Sequence, residues 1–284
     1  MSNKVIRLSL IIFMSLITYF LLVTPFVSTL MYGLTVITAS ITVVWLISLL
    51  VKDSSIVDIF WGTGFVIVVW FYLFSLGEVY FTGRNLFFVS LVSLWGLRLT
   101  AHIGYRNIGK PEDYRYQEWR AEAGKHYWWV SYLRVFLLQG IILWMLSALF
   151  IPILKIEENT FSTTFIIGIS LFAIGLFFEA VGDWQLMQFK KSPSNKGKIM
   201  QTGLWKYTRH PNYFGDSVVW WSFFMMALDY KTGLFFIFAP LFMTFLLTKV
   251  SGVAMLEVKQ KNTKPKYADY IRRTSSLFPW LPRK

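Results

Sequence analysis

A chain of 284 residues that is 55% hydrophobic and 19% aromatic, with only 15% charged residues, does not have the make-up of a cytosolic domain. The absence of cysteine excludes disulfides, thiolate metal sites and cysteine nucleophiles, and three histidines (His102, His126, His210) with no HExxH pattern argue against a zinc centre. A net charge of +13 raises nucleic acid as a partner, but only until the placement of that charge along the chain is read.

Stretches of about 20 mostly apolar residues are the spanning unit of helical membrane proteins. In chain order they are predicted over Val5–Val23, Thr29–Val51, Ile56–Leu76, Asn85–Ile103, Tyr132–Leu154, Phe165–Phe189, Tyr213–Leu228 and Leu234–Val250. The first opens with MSNKVIR but lacks an A-x-A cleavage pattern and is followed at once by a second span, so it reads as a retained helix. The last two are short and pair as a hairpin through 229–233.

With the N-terminus cytoplasmic, the cytoplasmic segments hold Lys4, Arg7, Lys52, the clusters Arg98 to Arg134 and Lys190 to Arg209, and the tail from Lys249. The opposite side holds Arg84, Lys155 and Lys231. That asymmetry is the positive-inside rule, so topology accounts for the basic charge and nucleic acid is not needed. The expected fold is an all-α polytopic membrane bundle of about eight transmembrane helices with both termini cytoplasmic. A helix pair over 1–51 precedes a membrane domain over 52–284 whose pocket faces the cytoplasm.

Ionisable groups within spans usually face a cavity or a partner, and four clusters stand out. Asp58 lies one turn into the third span, with Trp61 at i+3; it is read either as an interfacial aspartate paired with Lys52 or as a functional acid. Arg98, His102, Tyr105 and Arg106 make a polar stripe along the end of the fourth span. Glu179, Asp183 and Lys190 share a stripe of the sixth, Glu179 roughly 15 Å in from the boundary. The fourth cluster, GLWKYTRHPNYFGD, puts Pro211 where a helix begins, Arg209 and His210 just before it, and Asn212 and Asp216 on one face with Tyr213 between. A helix N-terminus so flanked is a ready anion site. The loop GKPEDYRYQEWR reads equally as a solvated loop or a ligand contact. Tail residues Glu257, Lys266, Tyr267, Tyr270 and Arg273 add further basic and aromatic groups.

These residues resemble the membrane-embedded steroid 5-alpha-reductase superfamily, in its bacterial branch. The likeness runs from about Asp53 to the C-terminus and is most specific over EAVGDWQLMQFKK and TGLWKYTRHPNYFGD, with Trp220 in place and a closing DYIRRTSSLFPW. The resemblance implies an NADPH-dependent reduction of a carbon–carbon double bond in a lipid-like substrate, in a bacterial inner membrane with the site open to the cytoplasm. By motif position it assigns Arg106, Glu179, Asp183, Lys190, Arg209, His210, Asn212, Tyr213, Asp216, Tyr267 and Tyr270 to the cofactor, and Trp61 and Trp220 to substrate. The steroid enzymes carry a catalytic tyrosine after the stripe's histidine; here Ile103 stands there. Asp58, His102 and Tyr105 are the substitute proton donors, in that order.

Two other readings stay open. The RHPNY element is shared with membrane methyltransferases acting on isoprenylcysteine and phospholipid, in which Glu257, Tyr267 and Tyr270 would cradle S-adenosylmethionine. A non-enzymatic lipid-binding membrane protein would show an apolar cavity without convergent charges.

Overall fold

The computed structural model describes residues 27–250, 253–264 and 266–283, so the predicted span Val5–Val23 lies outside the described residues. Everything regular among the described residues is helical. Six of the helical stretches are long and apolar enough to cross a membrane: Val27–Val51, Ile56–Leu76, Gly83–Asn107, Tyr114–Leu154, Thr163–Lys191 and Gly233–Val250. The predicted span Tyr213–Leu228 corresponds to a helix of 17 residues, Pro211–Ala227. The chain divides into two compact units, Met1–Ser147 and Ala148–Lys284.

In the N-terminal unit, α1 (Val27–Val51) turns through Lys52, at φ 56°, into α2 (Ile56–Leu76), and α3 (Gly83–Asn107) is capped by Thr82, whose hydroxyl accepts the Asn85 N–H. Lipid removes most of the hydrophobic drive between helices, so close packing of small residues must supply it. The α2–α3 crossing is of this kind: a Cβ on Gly62 would lie 2.0 Å from the Gly96 carbonyl oxygen, and one on Gly96 2.6 Å from that of Gly62. Around it Thr63 and Thr100 share a hydrogen bond of 3.0 Å, and Phe65, Val68, Val69, Phe88, Val92 and Trp95 are buried.

The helix α4 (Tyr114–Ala123) leads into α5 (Tyr127–Ser131), a π turn (Tyr132–Leu137) and α6 (Leu138–Ser147). Its preceding loop is clasped. Glu112 accepts from the Ser54 N–H at 2.7 Å and from the Arg120 guanidinium at 2.8 and 3.0 Å, and the Asp113 N–H donates to Ser55 Oγ at 2.7 Å. Burial pushes the Glu112 carboxyl up, but the bonds from Arg120 and Ser54 outweigh it and hold it below the ordinary range. Part of the GKPEDYRYQEWR loop is therefore a fastening for the α1–α2 turn.

In the C-terminal unit, the buried turn α7 (Phe150–Leu154) precedes α8 (Thr163–Lys191), capped by Ser162, whose hydroxyl accepts the Phe165 N–H. The next long helix, α9 (Pro211–Ala227), begins at the proline that the sequence marks. It packs along α8 over a seam of glycines seven residues apart: Gly168 meets Ser222 and Met226, Gly175 meets Gly215 and Val219, and Gly182 meets Pro211 and Asn212. A Cβ on Gly215 would fall 2.4 Å from the Glu179 backbone nitrogen. A 3₁₀ turn (Gly233–Ile237), α10 (Phe238–Phe245), a π turn (Leu246–Val250), α11 (Val253–Thr263) and α12 (Tyr267–Arg273) complete the unit.

The seam predicts a sharp contrast between buried glycines. Gly215→Ala must force two backbones apart and should lower stability by about 1–3 kcal/mol. Gly104→Ala, whose new Cβ meets nothing nearer than 3.7 Å, should be neutral or mildly stabilising. Thermal unfolding of the full chain in detergent compares them; equal midpoints would refute the close-packed seam.

Candidate functional site

The turn before α9 is held from two sides. Gln185 on α8 accepts the Leu204 N–H at 3.0 Å, and Trp205 Nε1–H donates to the Gly182 carbonyl at 3.0 Å. From the other side the tail crosses the turn: Thr208 pairs with Ser275 in a parallel bridge and its hydroxyl donates to Leu277 O at 2.8 Å, while the Arg209 N–H donates to Ser275 O at 2.9 Å. The Tyr270 hydroxyl donates to Trp205 O.

Arg209 is the centre of this arrangement. Its guanidinium, buried, reaches Glu257 Oε1 on α11 at 2.7 Å (Nη2) and 2.8 Å (Nε), and it donates to the carbonyls of Ile271 and Thr274. His210 Nε2 lies 3.3 Å from the same Oε1, and the His210 ring stacks on Tyr213 at 5.6 Å between centroids. Burial pushes the Glu257 carboxyl up; the bonds from His210 and Arg209 outweigh it and hold it low. Burial also raises the Tyr267 phenol, to about 12, with the Glu257 carboxylate adding to the effect, and it raises Tyr270 as well. Both tyrosines are nearly fully buried, so they act here as walls of the Arg209–Glu257 cluster.

Past the turn, Asn212 Nδ2 donates to Asp183 Oδ1 at 2.9 Å, which fixes the orientation of the amide. Its Oδ1 is buried with no hydrogen-bond partner. Asp183 and Glu179 are both buried on the α8 face that meets α9, and Lys190 is exposed at the end of α8. Asp216 follows Asn212 by four residues on α9. Trp220 lies deeper still: it is fully buried, stacked on Phe150 at 6.0 Å and edge-on to Phe223. On another side of α8, Trp184, Gln185, Gln188, Phe189, Met200, Thr202 and Gly203 line an open groove of about 270 Å³.

In the N-terminal unit Asp58 pairs with Arg115 at 3.3 Å, not with Lys52, and accepts the Tyr116 hydroxyl at 2.8 Å. Gln139 Nε2 donates to that hydroxyl at 3.3 Å, and Trp61 Nε1–H donates to Gln139 Oε1 at 2.5 Å. His102 is half-buried, whereas Tyr105 and Arg106 are exposed, Arg106 Nε donating to Asn107 Oδ1 at 3.0 Å. Sequence reasoning missed Arg115, Tyr116 and Gln139. Gln139 carries its own signal, an amide within an apolar run, whereas the two loop-helix residues declare themselves only once α4 is folded back toward α2.

The family's sequence profile matches residues 44–274. The chain belongs to the DUF1295 family. Its members are described as proteins of unknown function. An uncharacterised protein of Schizosaccharomyces pombe is 27% identical over 214 residues, covering 65% of this chain and 60% of its own, so the chain spans about three-fifths of that relative's length. A probable O-methyltransferase of Ustilaginoidea virens is 48% identical over 46 residues, 16% of each chain. No solved structure matches.

The Arg209–Glu257 cluster predicts acid sensitivity with a definite sign. Because the folded carboxyl is held low, its contribution is complete above the ordinary value of 4.5 and is lost as pH falls through the depressed value. Glu257→Gln should therefore destabilise the chain at neutral pH and flatten the acid limb of its stability profile, measured as unfolding midpoint against pH. An acid limb as steep as wild type would show that Glu257 does not couple folding to protons.

Proposed function

We propose that this chain is a membrane-embedded NADPH-dependent reductase of a carbon–carbon double bond in a lipid-like substrate. Membership of a family known as steroid 5-alpha-reductase-like supports the class. The observation that carries the reading is the Asn212–Asp183 pair at the start of α9: a buried, oriented amide whose carbonyl oxygen has no partner. An acceptor so placed calls for an N–H donor, and a carboxamide or an adenine amino group supplies one. The positive end of α9 and the Lys190 ammonium favour phosphate nearby, and Glu179 and Asp216 complete the polar wall. Arg209 contributes by holding the turn, its guanidinium already bonded to Glu257 and two carbonyls. Bound there, the dinucleotide supplies hydride.

Proton delivery falls to the Asp58 cluster in this reading, with His102 and Tyr105 as the alternatives. Asp58 accepts from both the Tyr116 hydroxyl and the Arg115 guanidinium, so a carboxyl and a phenol share this cluster. Trp61 is fixed through Gln139 to the same network. The substrate reaches the chain from the bilayer, and the cytoplasm supplies the nucleotide.

A second reading rests on the 46-residue match to a probable O-methyltransferase. It would place S-adenosylmethionine against Glu257, His210, Tyr267 and Tyr270.

Thermal shift of the detergent-purified chain with NADPH, NADH and S-adenosylmethionine in parallel separates them. At a hundred times its dissociation constant, NADPH should add about 2.7 kcal/mol of stability. Asn212→Ala should weaken that binding at least about tenfold while the unliganded midpoint stays within a few degrees. Stabilisation by S-adenosylmethionine alone would move the chain to the methyltransferase reading.

A further inference from the structure

The last residues of the chain make a surface that the cofactor reading does not use. Phe278, Trp280 and Leu281 are exposed at 70%, 73% and 73%, yet the segment that carries them is not loose. Trp280 N–H donates to Tyr207 O at 2.9 Å, Arg283 N–H donates to Arg273 O at 2.8 Å, and Thr208 holds Ser276 and Leu277 by their carbonyls. Pro279 and Pro282 stiffen it further. Three large apolar side chains held outward on a fastened backbone are costly in water and fit an apolar phase.

Two observations say which phase. First, Phe278 packs on Phe214 in the first turn of α9 at 5.9 Å, and Phe214 packs on Phe178 of α8 at 4.9 Å. Phe178 lies midway along a helix long enough to cross a membrane, and its neighbour Phe177 is exposed at 53% on the outside of that helix. The spur is thus joined through packed rings to the apolar surface of a membrane-spanning helix. Second, the surrounding surface is basic. From 184 to 215 there are six lysines and arginines and no carboxylate, and exposed Lys206, Arg273 and Arg283 sit on the segments that the tail is bonded to. The nearby Arg272 is paired with Asp269. Aromatic side chains at the headgroup level beside lysine and arginine are the signature of an interfacial anchor.

We infer that Phe278, Trp280 and Leu281 insert into the headgroup–acyl boundary of an anionic bilayer, with Lys206, Arg273 and Arg283 on its phosphates. The tail then leaves the turn at Thr208, crosses it and returns to the membrane.

The chain contains no cysteine, so a single introduced thiol reports one site without background. An environment-sensitive fluorophore is attached at Leu281→Cys and, for comparison, at Ser194→Cys in the exposed basic loop. Each full-length protein is reconstituted into vesicles of phosphatidylcholine with phosphatidylglycerol. The Leu281→Cys probe should be at least about threefold less quenched by aqueous iodide than the Ser194→Cys probe, and quenched by nitroxide on the lipid acyl chains. Adding Lys206→Glu and Arg273→Glu, or leaving out phosphatidylglycerol, should return much of the iodide quenching. Equal iodide quenching at both positions would put the spur in water and overturn the inference. Shielding from both quenchers would mark a protein contact, and shielding independent of the anionic lipid would remove the charge recognition; either overturns it too.

Discussion

The approach of α8 to α9 is the constraint from which the C-terminal unit follows. Between two helices in lipid the gain comes from contact and from satisfied polar groups, not from escaping water. Glycines at 168, 175 and 182 on one helix and 215 on the other bring the backbones together: a Cβ at 168, 175 or 215 would fall 2.4–2.7 Å from the partner helix, and one at 182 would fall 3.1 Å from Pro211. At that spacing the first turn of α9 rests on Gly182, Asn212 falls within 2.9 Å of Asp183, and the Gly182 carbonyl accepts the Trp205 indole N–H. Gly182 thus lies against both the start of α9 and the turn that precedes it.

Arg209 stabilises the same turn by other means. A buried ion pair gains little over a well-packed apolar replacement, yet removing one partner commonly costs about 3–5 kcal/mol, because the other charge stays buried. Here the guanidinium also satisfies two carbonyls at the end of α12, which a helix terminus would otherwise leave open. The arrangement specifies more than it stabilises. It decides where the tail crosses the RHPNY turn, and through Thr208 and Tyr207 it decides where the last apolar residues emerge.

Most of the membrane fold was legible because hydropathy needs only composition over about 20 residues. Ile56–Leu76 is matched residue for residue, and Pro211 marked the start of its helix because a missing N–H costs nothing at that position. What the sequence could not carry was the use of each charge. Arg209 beside His210 reads as an anion site from spacing alone, but Glu257, 48 residues on, takes most of that charge. Likewise Asp58 has Lys52 nearby in the chain, while the partners that reach it, Arg115 and Tyr116, come from a helix 57 and 58 residues later. Side-chain pairing over such separations depends on how helices fold back, and periodicity says nothing of that. Trp220, which the motif position assigns to substrate, lies buried between the rings of Phe150 and Phe223, a setting that periodicity likewise does not show.

The two cofactor readings ask different things of the same atoms. Adenosine is common to both, so an N–H donor for Asn212 Oδ1 does not by itself choose between them. The charge does. A sulfonium is a cation and gains from an uncompensated carboxylate, yet Glu257 Oε1 already takes three donors, with the Arg209 charge buried against it. The neighbouring positive end of α9, the exposed Lys190 and the carboxylate-free run from 184 to 215 leave the approach to the turn positive. A cation would be repelled along that approach, whereas a phosphate-bearing dinucleotide would be drawn in and would find its attraction undiminished by Glu257, whose charge is matched. At Asn212 itself the charge changes sign, with Asp183 against the amide and Glu179 and Asp216 on the same stretch of α8 and α9, so a phosphate would belong at the approach and an uncharged part of the nucleotide at the amide.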